Sequence, residues 1–149
     1  MTSERFNPRF AVFLIFRQGN EILLLRRFNT GHNDGSYSLV SGHVDEGETF
    51  IQAAVREADE EAGVKISPTD LSLAYVLHNR HLDDTDVYVN IFLNVTKWEG
   101  EIFNAEPEKC DDLSWFDMEH LPENTINYIR FTLDAIEEGR NFGQFGFES

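Results

Sequence analysis

The apolar positions of the chain fall into two rhythms. "RFAVFLIFRQGNEILLLRRF" (9–28) is a pair of apolar runs parted by Gln18-Gly19-Asn20, which predicts two strands joined by a turn. "YSLVSGHV" (37–44) predicts a short strand running into a glycine turn. "LSLAYVLHNRH" (71–81) and "VYVNIFLNVTKWEGE" (87–101) predict further strands, and "LSWFDMEHL" (113–121) a short one leading to Pro122. The helical rhythm occurs twice. In "TFIQAAVREADEEAG" (49–63), Thr49 with Gln52 three residues later forms a capping-box pattern, and Gly63 supplies the stop. In "ENTINYIRFTLDAIEEG" (123–139), Ile126, Ile129, Leu133 and Ile136 recur at helical spacing. "FNTGHNDGS" (28–36) is a polar loop, and the tail "RNFGQFGFES" (140–149) has no clear period. Strands mixed with two helices in this order predict an α/β (α+β) fold with a sheet packed between helices. No repeat, linker or low-complexity tract interrupts it, so residues 1–149 read as a single domain.

Composition narrows the class. With 41% hydrophobic and 13% aromatic residues, the chain has the makings of a packed core and not of a disordered segment. No apolar run approaches the roughly 18 residues that span a bilayer, and the start lacks the apolar stretch of a secretory signal. Cys110 is the one cysteine, so no internal disulfide forms; the expectation is a cytoplasmic protein. The formal charge is −15, a field that repels nucleic acid and anionic membranes. It also repels a phosphorylated small molecule, unless bound cations reverse the sign locally.

The acids concentrate in one stretch. "GHVDEGETFIQAAVREADEEAGV" (42–64) holds seven carboxylates against a single Arg56. On a helix turning about 100° per residue, Ile51, Ala54, Val55, Ala58 and Ala62 form one stripe suited to packing on the sheet. Glu57, Glu60 and Glu61 fall together on an arc away from it, where like charges three and four apart repel. A solvated acidic face is the plain reading. The chemical reading is a rigid oxygen-only cluster suited to a hard cation such as Mg²⁺ or Mn²⁺, which turns the repulsion into attraction.

The spacing of this stretch resembles the signature of the Nudix hydrolase family, MutT-like branch: Gly42, Glu48, Arg56, Glu57, Ala58, Glu60, Glu61, Gly63 and Val64 stand at its intervals. Ala58 is smaller than the family's usual Ile, Leu or Val, and Val40-Ser41 stand where relatives often carry Pro-Gly. The resemblance implies a mixed β-sheet sandwiched between helices. It implies metal-dependent hydrolysis of a nucleoside diphosphate linked to another group, with a (d)NTP cut to NMP and pyrophosphate as the first expectation. ADP-ribose or another nucleoside diphosphate sugar is the alternative. Carried over by position, Glu60 and Glu61 are implied metal ligands, and Glu57 a ligand or the base acting on the attacking water. Arg56 and Glu48 brace the cluster, and the Gly42 region adds a carbonyl ligand. A nucleotide-sensing module without catalysis is the alternative of another class, although this chain keeps every box glutamate; an acidic protein-interaction domain is a weaker third. The implied partner is a small nucleotide, with no nucleic acid or membrane; a homodimer is left open.

Outside this stretch the candidates are separate. Arg26 and Arg27 end a strand, and alternation lets only one face a site, where it could contact phosphate. Within "NAEPEKCDDLSWF" (104–116), Glu106 is the first choice and Glu108 the second for a further metal-binding or base carboxylate, by the same resemblance. Asn124 near the final helix reads either as its N-cap or as a reader of a purine edge. Trp115 and Phe116 read as core, "HNRH" (78–81) as a polar strand end, and Cys110 as an inert thiol. No Cys/His cluster supports zinc. "DDTD" (83–86) lacks the glycine and final Glu of a calcium loop.

Overall fold

A computed structural model describes residues 5–81 and 86–147. The calcium-like 83–85 therefore lies outside the described residues. Strand β1 (Arg9–Gln18) turns through Gly19-Asn20 into β2 (Glu21–Arg27), pairing Arg17 with Ile22 and Gln18 with Glu21, as the sequence predicts. Only the end of β1 pairs with β2. Its earlier residues, Ala11 to Leu14, pair with β4 (Val40–His43), while β3 (Tyr37–Ser38) pairs with β2. The one strand expected over 37–44 is thus two, split at Leu39, each serving a different neighbour. Both pieces border the cleft described below, β3 at Ser38 and β4 at Ser41, Gly42 and His43.

On its other edge β1 runs parallel to β6 (Val87–Val95) from Arg9 to Phe16. Strand β6 is antiparallel to β5 (Leu71–Arg80), and β5 is parallel to β8 (Phe142–Phe145). Strand β7 (Cys110–Asp117) lies antiparallel against β2. The order is β3-β2-β1-β6-β5-β8, with β4 on β1 and β7 on β2, which makes the sheet mixed. Three expectations change in extent. The strand expected over 87–101 stops at Val95, and that over 113–121 starts earlier, at Cys110. The aperiodic tail contains β8, whose close approach to β5 depends on Gly143: a Cβ there would lie 2.2 Å from the Tyr75 hydroxyl oxygen.

Helix α1 (Phe50–Ala62) has the predicted ends: Thr49 and Gln52 make a reciprocal capping box, and Gly63 closes it in the left-handed conformation at φ 68°. It packs on one face of the sheet over Val12, Leu14, Phe16, Val40 and Leu93. Helix α2 (Asn127–Glu137) covers the opposite face, with Ile129 and Leu133 against Phe13, Ile15, Tyr75 and Phe92. The sheet is therefore sandwiched between helices. Helix α2 starts four residues later than the pattern predicts, because Tyr37 bonds across the preceding segment: its N–H donates to Asn124 O, and Ile126 N–H donates to Tyr37 O. The N-cap residue is Ile126, with no side-chain cap, so Asn124 does not cap this helix. Its amide Nδ2 donates instead to Gly35 O at 2.7 Å.

Candidate functional site

The buried face of α1 differs from the expected stripe. Ala53, Ala54, Glu57, Ala58 and Ala62 are buried, while Ile51 and Val55 are only partly so. The packed arc is rotated toward the carboxylates, because alanines let the helix sit close to β4 on that side. Glu57 and Glu61 therefore lie beside the sheet and not on an outward arc.

Gly42 shows how close the approach is. A Cβ on it would stand 2.1 Å from Glu57 Oε1 and 2.2 Å from Glu57 Cδ. Next to it, Ser41 N–H donates to Glu61 Oε1 at 2.7 Å. Arg56 lies across the acids: Nε donates to Glu48 Oε2 at 2.8 Å, Nη1 to Glu57 Oε1 at 2.5 Å and to Glu60 Oε2 at 3.3 Å, and Nη2 to His43 O at 3.0 Å. Glu48 also accepts from Asp45 N–H. The hydrogen bonds from Arg56 hold the Glu48 carboxyl at about 2, and in return Glu48 raises the Arg56 guanidinium. Glu57 moves the other way: burial pushes it up to about 7 against the pull of Arg56. Burial, then the charge of Glu57, pushes Glu61 well above the ordinary carboxylate range. Glu106 is raised by burial too, opposed by Lys109.

These side chains line one end of a cleft of about 660 Å³. Arg56, Glu57, Glu60, Glu61, Gly42 and Glu106 all border it, and so does Arg27. Glu48 reaches it only through Arg56. Glu108 is exposed and outside the lining; half-buried Arg26 is outside it too, pairing with Asp111 at 2.7 Å and lying over the Tyr37 ring. Arg27 is the member of the pair that faces the cleft, with Nε on His32 O and Nη2 on Thr30 Oγ1. Asn124 borders a neighbouring cavity of about 400 Å³. Trp115 and Phe116 pack against the two cores, and Cys110 is buried. His81, taken as part of a polar strand end, lines both cavities. His32, His43, Tyr88, Asn90, Lys109 and Tyr128 also line the cleft without having been singled out. For Asn90 a signal existed: a polar residue inside the apolar run "VYVNIFLNV".

Among the described residues, no group of three or more His, Cys, Asp or Glu side chains is already arranged to hold a metal ion. Arg56 occupies the space between the acids. Yet the donor set fits an oxygen-seeking cation. Burial raises the cost of ionising Glu57 and Glu61, the charges of Glu60 and Glu106 add to it at Glu57, and that of Glu57 adds to it at Glu61, a penalty that a cation relieves.

The sequence model of the NUDIX domain family matches residues 5–134. The chain belongs to the NUDIX family. Among Nudix proteins it is 34% identical over 108 residues to the 8-oxo-dGTP diphosphatase of Escherichia coli (strain K12), covering 70% of this chain and 78% of that one. It is 30% identical over 130 residues to the ADP-ribose pyrophosphatase of Methanocaldococcus jannaschii, covering 87% and 74%. It is 29% identical over 122 residues to the NAD-capped RNA hydrolase NudC of Pectobacterium carotovorum, covering 80% of this chain but only 44% of that relative's length. Its Nudix fold superposes on a MutT NUDIX hydrolase from Burkholderia pseudomallei with a TM-score of 0.79 at 25% identity, covering 87% and 98% of the two chains. A MutT protein from Methanosarcina mazei gives 0.78 at 22% identity, covering 92% and 98%, a likeness of fold. No described helix is long and apolar enough to cross a membrane.

Proposed function

We propose that this Nudix protein is a pyrophosphohydrolase that cleaves a nucleoside diphosphate linked to another group, with a (d)NTP giving NMP and pyrophosphate as the leading substrate. The observation that carries this reading is the packing of Gly42 against Glu57, which fixes three helix carboxylates and Arg56 at one end of a cleft large enough for a nucleotide. Glu57, Glu60, Glu61 and the Gly42 carbonyl, with neighbouring Glu106, would hold Mg²⁺ or Mn²⁺. Such an ion supplies a lowered pKa for bound water and charge neutralisation at the phosphoryl oxygens.

The chain's own residues divide the remaining work. Arg56, locked by Glu48, sets the direction of the Glu57 and Glu60 carboxylates. Glu57, packed on Gly42 and lining the cleft, is the first candidate to accept a proton from the attacking water. Glu106 is the second candidate for that proton, and Glu108 drops behind it because it lies outside the cleft. Arg27 and Lys109 border the same cleft and offer positive charge to phosphate oxygens. ADP-ribose is the second reading, favoured by the match to the archaeal relative of that name over 87% of this chain.

A panel of nucleoside triphosphates, nucleoside diphosphate sugars and dinucleotides, assayed for products with and without divalent metal, tests the proposal. Glu57→Gln, Glu60→Gln and Glu61→Gln should each cut turnover by roughly 10²–10⁴-fold, the range for lost acid-base or comparable site chemistry. Near-normal rates in all three would place the chemistry elsewhere.

A further inference from the structure

From His43, which follows Gly42 in β4, flat rings lie face to face along the cleft. The His43 and Tyr88 rings are 5.9 Å apart and 18° from parallel, and Tyr88 and His81 are 4.4 Å apart at 14°. His81 continues the row to His32, at 5.4 Å and 7°, and to Tyr128, at 5.7 Å and 21°. Engaged with one another, these rings wall the cleft with flat aromatic surface, which suits a planar heterocycle whatever its identity. Stacking alone therefore does not discriminate between heterocycles.

A discriminating group lies beside the rings. Alternation along β6 puts Tyr88, Asn90 and Phe92 on one face. Phe92 belongs to the core under α2, Tyr88 to the ring row, and Asn90 sits between them in the cleft lining, 1% exposed. Neither its Nδ2 nor its Oδ1 has a hydrogen-bond partner. Asn79, opposite Tyr88 in the β5–β6 register and fully buried, is in the same state. It lines the adjoining cavity, which shares His32, His81 and Tyr128 with the cleft. Among the described residues, these two amides supply all of the buried side-chain nitrogen and oxygen atoms that lack a partner. Buried polar groups are normally paired, so two adjacent exceptions beside a cleft call for a ligand that pairs them.

The geometry points to Asn90, backed by Asn79, as the specificity-determining residue that reads the edge of a planar heterocycle held in this cleft. This deepens the proposed function and rests on it for placing the phosphates at the carboxylate end. A side-chain amide offers one donor and one acceptor side by side. It therefore matches a heterocycle edge that presents an acceptor beside a donor, as nucleobases do in bidentate pairing with Asn. Being neutral, it selects by hydrogen-bond pattern and not by charge. A substrate without that edge leaves the amide unpaired, the circumstance in which polar-lined sites discriminate most strongly.

The test compares kcat/KM for nucleotides that differ only in the heterocycle with kcat/KM for a ribose-linked pyrophosphate that carries no base. Asn90→Leu should lower the ratio of the preferred nucleotide to the base-free compound about tenfold or more, mainly through KM. Its melting temperature should hold or rise, since an unpaired buried amide is removed. An unchanged ratio, or an equal loss on both compounds with a lower melting temperature, overturns the proposal. Should Asn90→Leu fail to fold, metal-free wild-type protein decides the matter by NMR. Nucleoside monophosphates should shift the Asn90 side-chain NH₂ and the His81 ring signals, and ribose 5-phosphate should not. Absence of any Asn90 shift with every base overturns the assignment. Because this titration needs no turnover, it separates failure of the heterocycle site from failure of the hydrolase reading.

Discussion

Replacing Gly42 with Ala adds one carbon to the tightest point between β4 and α1. Gly42 has no left-handed backbone angle, so alanine meets no conformational penalty there. The cost is space: the new Cβ would meet Glu57 Oε1 at 2.1 Å, Cδ at 2.2 Å and Cγ at 2.8 Å. Carbon contacts settle near 3.5–4.0 Å, so the Glu57 side chain must shift by roughly 1 Å or more. The atoms displaced belong to a side chain and not to the backbone, which limits the stability loss to about 1–3 kcal/mol, typical of overpacking. For a chain of 149 residues that corresponds to a drop of roughly 2–12 °C in melting temperature. Function should suffer far more, because a misplacement of about 1 Å in a positioned group can cost about 10²-fold. Calorimetry on Gly42→Ala and kcat/KM on the best substrate measure the two effects. If the carbon acts through Glu57, adding Gly42→Ala to Glu57→Gln should cost little further activity, since mutations sharing one partner are not additive. Full additivity of the two losses, or wild-type activity in Gly42→Ala, would refute the reasoning.

Chelation should abolish turnover, and added Mg²⁺ or Mn²⁺ should raise the melting temperature by mass action, about 2.7 kcal/mol at a hundredfold excess over Kd; an activity indifferent to chelator defeats the metal assignment. Asn124→Asp removes the Nδ2 donor to Gly35 O and sets a carboxylate against a carbonyl. Thermal unfolding should report a loss of roughly 0.5–1.5 kcal/mol, whereas an N-cap would have tolerated the change. Asp34 accepts from Thr30 Oγ1, Thr30 N–H and Gly31 N–H, and the Thr30 hydroxyl leads in holding its carboxyl below the ordinary range. A depressed folded value stabilises above the unfolded pKa and fades as pH falls through the folded one. Denaturant midpoints of Asp34→Ala and wild type should therefore differ at neutral pH and converge in acid; a constant gap would count against the Asp34 contacts.

What the sequence makes legible is local. The Gly19-Asn20 hairpin and both ends of α1 depend on residues within a few positions of one another, so their signals are complete in a short window. The break at Leu39 depends on two different strands competing for β3 and β4, and nothing within 37–44 records that competition. Strand β8 follows no alternation because its place is set by parallel pairing to β5 and by room for Tyr75 at Gly143. The carboxylates of α1 are legible as a cluster, but the burial of Glu57 is not: the small alanines at 53, 54 and 58 rotate the packed face toward it. Arg27 and Glu106 line the cleft while Arg26 and Glu108 do not, a difference of side-chain direction that spacing alone leaves open.

Arg56 has a consequence for how the protein is made. Small zinc domains stay unfolded until metal arrives, because their ligands have nothing else to satisfy them. Here a guanidinium joined to Glu48, Glu57 and Glu60 acts as an internal placeholder for positive charge. The expected outcome is that newly synthesised chains reach their final shape without drawing on the cell's divalent ions, so that chelated protein keeps its native circular dichroism while it loses turnover; unfolding on chelation would refute the placeholder role.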